Sequence, residues 1–221
     1  MASKFIVIEG LDGSGKGTQS KLVTDILKDR GYKVKKLTFP DYDSPTSSLV
    51  KMYLGGELGD NPDDVNAYAA SAFYAVDRVA SFIQSWKKDY QECDYIIADR
   101  YVTSNIIYQM SKVSDDERDD YIEWCEDFEY NRLCVPKPDV VIYLDMPPAV
   151  SQKLMSGRYN GDESKKDIHE KNMNFLLCCR ESALYALKKL NWEHVMCAEN
   201  DTPKSIESIT QLILDIIDTK L

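Results

Sequence analysis

The sequence predicts a single α/β domain with a mostly parallel sheet and helices on both faces. The chain has 221 residues, 43% of them hydrophobic, which suits one domain with a full core. Short apolar strands alternate with helical patterns along the whole chain, without repeats or low-complexity linkers. The first strand runs directly into a glycine-rich turn and a helix. We therefore expect one domain over residues 1–221.

The charge and the cysteines limit the partners that we expect. The net charge is −10, and no basic face for nucleic acid is visible. No apolar run reaches the ~18 residues of a membrane span. A strand begins almost at the first residue, so no signal peptide is expected. Six cysteines without a CxxC pair, and only two histidines, argue against zinc and favour reduced thiols in a cytoplasmic protein.

The strands and helices follow from hydrophobic periodicity and from capping residues. Strands are predicted at residues 5–8, 33–39, 95–100, 139–145 and 193–197. Helices are predicted after the glycine turn and at residues 45–53, 64–88, 103–109, 114–131, from 148, at 167–190, and after a Thr202-Pro203 cap. The polar segment 156–166 between two of these helices is interpreted as a flap.

The glycine-rich turn between the first strand and the first helix is typical of a phosphate-binding loop. Its glycines allow the backbone to approach phosphates, and its N–H groups meet at a helix N-terminus, which favours anions. Lys16 adds a cation for the β- and γ-phosphates. The usual Ser or Thr after this lysine is replaced by Gly17, followed by Thr18, so waters and carboxylates are expected to hold a metal. The alternative is an ordinary glycine-rich turn.

The order of four clusters resembles the nucleoside monophosphate kinases and, among them, the thymidylate kinase family. These clusters are the phosphate loop, a Tyr74/Arg78 helix, the Asp99-Arg100 pair and the flap with Arg158. The resemblance covers about residues 4–190. It is carried by Glu9-Gly-Leu-Asp-Gly-Ser-Gly-Lys16, Phe39-Pro40, Tyr74-Ala-Val-Asp-Arg78, Asp99-Arg-Tyr-Val-Thr-Ser-Asn-Ile-Ile-Tyr-Gln109 and Asp145-Met-Pro-Pro148.

The resemblance implies a P-loop kinase fold, a three-layer α/β/α domain with a mostly parallel five-stranded sheet and a mobile lid at about 155–168. It implies transfer of the ATP γ-phosphoryl group to dTMP with Mg²⁺, and pairing of two copies through helices. Lys16, Arg100 and Arg158 would be catalytic, and Asp12 and Asp99 would lie nearest the metal. Glu9 is a further carboxylate there, or it caps the strand end. The implied ATP site comprises Gly10, Leu11, Asp12, Gly13, Ser14, Gly15, Lys16, Gly17 and Thr18.

The resemblance also assigns roles in binding the acceptor nucleotide. Arg78 would read a pyrimidine carbonyl, and Asn105 would pair with the base edge. Tyr74 would stack on the base, with Phe73 as the alternative, and Tyr108 would lie under the sugar and disfavour a 2′-hydroxyl. The implied acceptor site comprises Asp12, Phe39, Tyr74, Arg78, Asp99, Arg100, Asn105 and Tyr108. The competing interpretations are core packing of Tyr74 and Arg78, a surface amide at Asn105, and an Arg100–Asp99 ion pair.

The chain departs from the family pattern in three places. Gly13 stands where one branch of the family has an arginine, and Arg158 in the flap is placed to replace it. The segment after the second strand lacks a phosphate-binding arginine, for which Lys51 is a substitute. The Lys-Gly-Thr ending of the loop is closer to adenylate kinase. The rival hypotheses are a kinase acting on AMP, UMP or dCMP, and a regulatory protein that binds nucleotide without catalysis.

Overall fold

The computed structural model describes residues 3–158 and 167–221, with side chains described for residues 3–155 and 167–221. Its centre is a five-stranded sheet in the order β2-β3-β1-β4-β5, and every neighbouring pair is parallel. The strands are β1 (Lys4–Gly10), β2 (Val34–Thr38), β3 (Tyr95–Asp99), β4 (Val140–Asp145) and β5 (Glu193–Met196). The predicted sheet is confirmed.

The helices cover both faces of this sheet. They are α1 (Lys16–Asp29), α2 (Ser48–Leu54), α3 (Ala67–Ser81), α4 (Lys87–Glu92), α5 (Thr103–Tyr108), α6 (Arg118–Glu126), α7 (Pro148–Arg158), α8 (Met173–Lys189) and α9 (Ile206–Lys220). Alternation along β1 sends Phe5 and Val7 into one hydrophobic cluster, and Ile6 and Ile8 into the other. The sheet is therefore buried on both sides, as a parallel sheet requires.

The register of the strands positions the chemistry of the site. Ile8 of β1 pairs with Asp99 of β3, and Gly10 of β1 pairs with Leu144 of β4. The phosphate loop and the Asp99-Arg100 pair thus leave the sheet side by side, at the carboxyl ends of the strands. In open α/β sheets this is the edge at which ligands bind.

The long helix predicted at 64–88 is three pieces. Asn66 accepts a hydrogen bond from the N–H of Ala69 and so starts α3 at Ala67. A π-helical turn at Phe82–Trp86 then separates α3 from α4. A π-turn at Asp127–Arg132 likewise ends α6 within the helix predicted at 114–131. Such turns depend on tertiary packing and leave no signal in the hydrophobic period.

Two other predicted helix starts are wrong, because capping side chains lie further along the chain. The helix predicted from 167 starts at Met173, since Asn172 accepts from the N–H of Phe175. The preceding residues form a turn closed by Asp167. The last helix is capped by Ser205, whereas Thr202–Pro203 pairs with Ala198–Glu199 in a small antiparallel ribbon.

The sequence also predicts that the chain has no membrane-spanning segment and that its cysteine thiols are reduced. Within residues 3–158 and 167–221, no helix combines the length and apolarity needed to cross a membrane. All six cysteines are free thiols.

Candidate active site

A cavity of about 1340 Å³ opens at the carboxyl ends of the strands. We call it the central cavity. It brings together residues that lie far apart in the sequence, from the phosphate loop to the turn after the flap. The predicted site residues that line it are Asp12, Gly13, Ser14, Gly15, Lys16, Gly17, Thr18, Phe39, Tyr74, Arg78, Asp99, Arg100, Asn105 and Tyr108. Gly10 and Leu11 complete the loop behind them.

The phosphate loop has the geometry of an anion-binding turn. Gly15 has a φ of 92° and precedes α1, whose first turn has neither a capping side chain nor an acidic residue. The first N–H groups of α1 therefore point at the cavity without a side-chain acceptor. The buried hydroxyl of Ser14 in the same loop has no hydrogen-bond partner within the described residues. The oxygens of a polyphosphate would accept hydrogen bonds from these N–H groups and from the Ser14 hydroxyl.

The backbone at Gly13 excludes a side chain. Its φ is 78°, and a Cβ there would lie 2.7 Å from the carbonyl oxygen of Ser151 in α7. An arginine at this position, as in one branch of the family, does not fit this loop. Any substitute for that arginine must come from elsewhere in the chain.

Lys16 is buried at the start of α1. Its ammonium donates to the carbonyl of Leu11 at 2.9 Å and lies 4.0 Å from the carboxylate of Asp12. Burial and the neighbouring Arg100 cation lower the pKa of Lys16 to about 8, against the opposing effect of nearby carboxylates. The lysine is therefore a cation held inside the loop at neutral pH.

Asp12 is held between Arg100 and Tyr108. Arg100 forms an ion pair with one carboxylate oxygen of Asp12, and the Tyr108 hydroxyl donates to the other at 3.0 Å. Burial raises the pKa of Asp12, but the cations of Arg100 and Lys16 outweigh it and bring the pKa to about 2. Arg100 pairs with Asp12 rather than with Asp99, so the Arg100–Asp99 interpretation is not supported.

Asp99 is the second of the two carboxylates that the sequence predicts near a metal. Within the described part of the chain, its side chain accepts no hydrogen bond, unlike that of Asp12. A Cβ on Gly17 would lie 3.3 Å from Asp99 Oδ2, so the missing side chain leaves space beside this oxygen. No group of three or more His, Cys, Asp or Glu side chains suited to a metal occurs among the described residues. Mg²⁺ fits such a site, because it binds through one or two carboxylates together with phosphates and waters.

Glu9 has a structural role. Its buried carboxylate accepts hydrogen bonds from the N–H of Tyr101 and from the hydroxyls of Thr103 and Ser104. Burial raises the pKa of Glu9, against these bonds and the nearby cations. The carboxylate thus holds the start of α5 against the end of β1, which supports the capping alternative.

Arg78 and Asn105, which the sequence predicts to contact the base, meet at Glu129, which the sequence did not indicate. We call this part of the cavity the base end. Arg78 donates from Nε and Nη2 to the two oxygens of Glu129, each at 2.6 Å, and from Nη1 to the carbonyl of Tyr101 at 3.3 Å. Asn105 Nδ2 donates to Glu129 at 2.9 Å and to the carbonyl of Ser71 at 3.3 Å. These two contacts use both amide hydrogens of Asn105, and its Oδ1 stays available as an acceptor.

The aromatic side chains of the site divide as follows. Phe73 and Tyr74 both pack against Tyr53, at ring distances of 6.3 and 6.4 Å. Tyr74 is among the described residues that line the central cavity and Phe73 is not, so Tyr74 is the ring of the two that faces the cavity. Phe39 also lines the cavity and packs on Tyr101.

The sequence predicts two cations, Lys51 and Arg158, as replacements for arginines that this chain lacks. Lys51 lines the cavity, and its ammonium donates to the carbonyl of Tyr42 at 3.0 Å. Arg158 is the last residue of α7, and its side chain lies outside the described residues. Residues 159–166 of the predicted lid also lie outside the described residues, so the lid stays a prediction.

Comparison with known proteins identifies the family of this chain. A sequence profile described as thymidylate kinase matches residues 8–213. The chain belongs to the thymidylate kinase family. The thymidylate kinase of Mycobacterium tuberculosis is 31% identical over 186 residues, which cover 82% of this chain and 84% of the relative. That of Plasmodium falciparum is 30% identical over 176 residues, which cover 78% and 77% of the two chains.

Solved thymidylate kinase structures have the same fold. The structure from Candida albicans matches with a TM-score of 0.70 at 22% identity, covering 99% of this chain and 92% of that one. The structure from Ehrlichia chaffeensis matches with a TM-score of 0.66 at 20% identity, covering 98% and 100%. The predicted P-loop kinase fold and family are confirmed. As a family member, the protein is a nucleoside monophosphate kinase of a family that uses ATP and Mg²⁺ in general.

Proposed function

We propose that this thymidylate kinase family member transfers the γ-phosphoryl group of ATP to dTMP, giving dTDP and ADP. The observation that carries the choice of dTMP is the pairing of Arg78 and Asn105 through Glu129. Arg78 offers donors to the cavity, and Asn105 offers the acceptor Oδ1. A thymine or uracil edge presents a carbonyl acceptor next to the N3–H donor, which is the complement of this pair.

The same pair disfavours the other bases. Cytosine presents an amine donor beside an acceptor nitrogen, and the corresponding edge of adenine does the same. Either base would place a donor against Arg78 and an acceptor against Asn105 Oδ1. Because Ser71 and Glu129 both accept from Asn105 Nδ2, turning the amide over would place its Oδ1 against two other acceptors. The geometry therefore favours dTMP over dCMP and AMP.

We assign the remaining contacts with the acceptor nucleotide from the positions of the side chains in the cavity. Tyr74 and Phe39 contact the base, and stacking on an aromatic ring contributes ~1–3 kcal/mol. Tyr108 lies under the sugar, and Arg100 grips the monophosphate while it orients Asp12. Arg100 is kept protonated, because Asp12 raises its pKa despite burial, which lowers it.

The protein contributes positioning and charge neutralisation to this reaction, with little covalent chemistry. The loop residues 10–18 hold the polyphosphate of ATP, and Lys16 neutralises charge on the transferring group. We assign Mg²⁺ first to Asp99, across from Gly17, with Asp12 as the second carboxylate. Bound there, Mg²⁺ would neutralise phosphate charge.

Arg158 is the proposed replacement for the arginine that Gly13 excludes. If it contacts mainly the transition state, Arg158→Ala lowers kcat far more than dTMP affinity. An unchanged kcat would assign this role to another cation, such as Lys153 or Lys165. The lid at about 155–168 would exclude water from the phosphates.

The test is ADP release with Mg²⁺ and ATP, measured separately with dTMP, dUMP, UMP, dCMP and AMP. We expect dTMP to be the best acceptor, dUMP to be weaker for lack of the methyl, UMP poorer still, and AMP negligible. Release driven best by AMP or dCMP would contradict the proposal. Binding of ATP without transfer to any monophosphate would identify a regulatory protein.

We also propose that two copies pair through α3 and that the protein acts in the cytoplasm without binding nucleic acid. Val76 of α3 and Ile83 of the π-helical turn that follows it are 48% and 68% exposed among the residues that the structure describes. A second copy would bury them, and members of this family usually dimerise through helices. Val76→Asp should shift the mass measured by sedimentation from dimer to monomer. An unmodified protein that sediments as a monomer would contradict this.

A further inference from the structure

Beside the central cavity lies a buried polar chain that the proposed function does not use. It runs from Lys112 through the hydroxyl of Tyr53 to the imidazole of His169. The Lys112 ammonium donates to Tyr53 Oη at 2.7 Å, and Tyr53 Oη lies 3.0 Å from His169 Nε2. Tyr53 and His169 are both buried, and His169 lines the cavity.

The imidazole of His169 is held in one orientation. Its ring is stacked on Tyr108, with 5.6 Å between centroids and 15° between planes. It meets Tyr53 edge-on at 5.4 Å and Phe175 at 4.8 Å. Asp167 accepts the backbone N–H of His169 at 2.9 Å and so fixes the turn that carries the ring. Three ring contacts and one backbone contact leave little freedom to the side chain.

The hydrogen bonds around Tyr53 allow two positions of the imidazole proton. An ammonium only donates, so Tyr53 Oη accepts from Lys112 and has one proton to give. That proton can go to the carbonyl of Pro62 at 3.2 Å or to His169 Nε2 at 3.0 Å, and our inference takes the second, shorter contact. Burial, assisted by Lys112, lowers the pKa of His169 to about 3, so the ring is neutral. A neutral ring that accepts at Nε2 carries its proton on Nδ1, for which the described residues provide no partner.

The position of the ring indicates which group of the substrate this N–H would contact. His169 is stacked on Tyr108, which the proposed function places under the sugar of the acceptor. The hydroxyl of Tyr108 is bonded to Asp12, a carboxylate of the implied acceptor site. The sugar of a 2′-deoxynucleotide 5′-monophosphate has a single hydroxyl, at C3′. That group both donates and accepts, so it matches Asp12 as its acceptor and His169 as its donor.

We propose that His169 is a further substrate-binding residue, which donates from Nδ1 to the 3′-hydroxyl oxygen of the acceptor nucleotide. Tyr53 and Lys112 are positioning residues that select this tautomer. The inference rests on the proposed function, because the sugar is located through Tyr108 and Asp12. It adds a contact from the turn at 167–172, which follows the flap in the chain.

The test compares dTMP with 3′-deoxythymidine monophosphate in calorimetric titrations without ATP. His169→Phe keeps a stacking ring and removes the N–H, so we expect its Kd for dTMP to rise about 3- to 10-fold. Its Kd for the 3′-deoxy nucleotide should be unchanged. His169→Asn, which retains a donor, should recover most of the affinity. The matched control is His194→Phe. His194 is the other histidine of the chain and is not among the described residues that line the cavity, so this variant should bind both nucleotides normally.

The positioning residues are tested in the same titrations. Tyr53→Phe should weaken dTMP binding and leave 3′-deoxy binding unaltered, and it should add no further loss in the His169→Phe background. It also provides the comparison if His169→Phe does not fold. A folded His169→Phe with an unaltered Kd for dTMP, or with equal losses for both nucleotides, would overturn the inference alone. An unmodified protein that binds neither nucleotide would overturn the proposed function itself.

Discussion

Glu129 accepts two hydrogen bonds of 2.6 Å from Arg78, and neither side chain is more than 2% exposed. The pair is bidentate, so the guanidinium has one orientation. A third bond to Glu129 comes from Asn105 at 2.9 Å. One buried carboxylate therefore orients two side chains that line the cavity, the donor Arg78 and the amide of Asn105.

Glu129→Gln should destabilise the protein by about 3 kcal/mol, because it leaves a buried guanidinium without its counter-charge. Glu126→Gln is the control, since it breaks an exposed pair with Lys137 and should change stability by less than about 1 kcal/mol. Urea unfolding measures both. Equal stability of the two variants would show that the Arg78–Glu129 pair does not hold the base end together.

The same variant should weaken base selection. The new amide at position 129 offers a donor, so Asn105 can turn over and present its own N–H to the cavity. The ratio of kcat/KM for dTMP to that for dCMP should therefore fall in Glu129→Gln and stay unchanged in Glu126→Gln. An unchanged ratio in Glu129→Gln would mean that Asn105 does not read the base.

The sequence predicted the fold and the position of the glycine loop well, because both depend on local patterns. The five strands, the glycine loop, Lys16 and the Asp99-Arg100 pair all follow from short segments with fixed geometry. Tertiary partners were not predictable in this way. Glu129 lies in an acidic, aromatic segment in which nothing distinguishes it from its neighbours.

The partner of Arg100 and the position of His169 were likewise not predictable from local patterns. Arg100 was expected to contact either phosphate or Asp99, and its partner is Asp12, 88 positions away in the chain. His169 lies in the turn before α8, which begins at Met173 after the Asn172 cap, and not in the helix that the sequence predicts from 167. No periodicity reveals a buried histidine in a turn.

Lys16→Ala should leave the fold intact and lower kcat at least ~100-fold, since it removes a cation from the transferring phosphates. Lys28→Ala removes an exposed lysine from the last turn of the same helix and should leave kcat unchanged. Steady-state kinetics with dTMP measure both variants, and circular dichroism confirms folding. A folded Lys16→Ala with normal kcat would exclude this loop from catalysis.

The pH profile should report Lys16. Its lowered pKa of about 8 means that the free protein carries this charge below pH 8 and loses it above. kcat/KM for ATP should therefore be level towards neutral pH and fall as the pH rises through about 8. Burial lowers the pKa of Lys112 to about 8 as well, so Lys112→Met is the control and should retain the fall. A profile that stays level to pH 10 would contradict this.

Tyr108→Ala should narrow the preference for dUMP over UMP without helping AMP. The ring is expected to exclude a 2′-hydroxyl by its bulk. Tyr108→Phe keeps the ring, loses only the hydrogen bond to Asp12, and should keep the deoxy preference. The measurement is kcat/KM for the three nucleotides with each variant. An unaltered dUMP-to-UMP ratio in Tyr108→Ala would mean that another residue reads the sugar.

The central claim is that Arg78 and Asn105 select a thymine edge. It is tested most directly by kcat/KM of the unmodified protein for dTMP and for dCMP at equal ATP and Mg²⁺. A site whose buried polar groups are left unpaired rejects an analogue strongly, so we predict a preference for dTMP of at least about a thousandfold. A dCMP value within about tenfold of that for dTMP, or above it, would contradict the account.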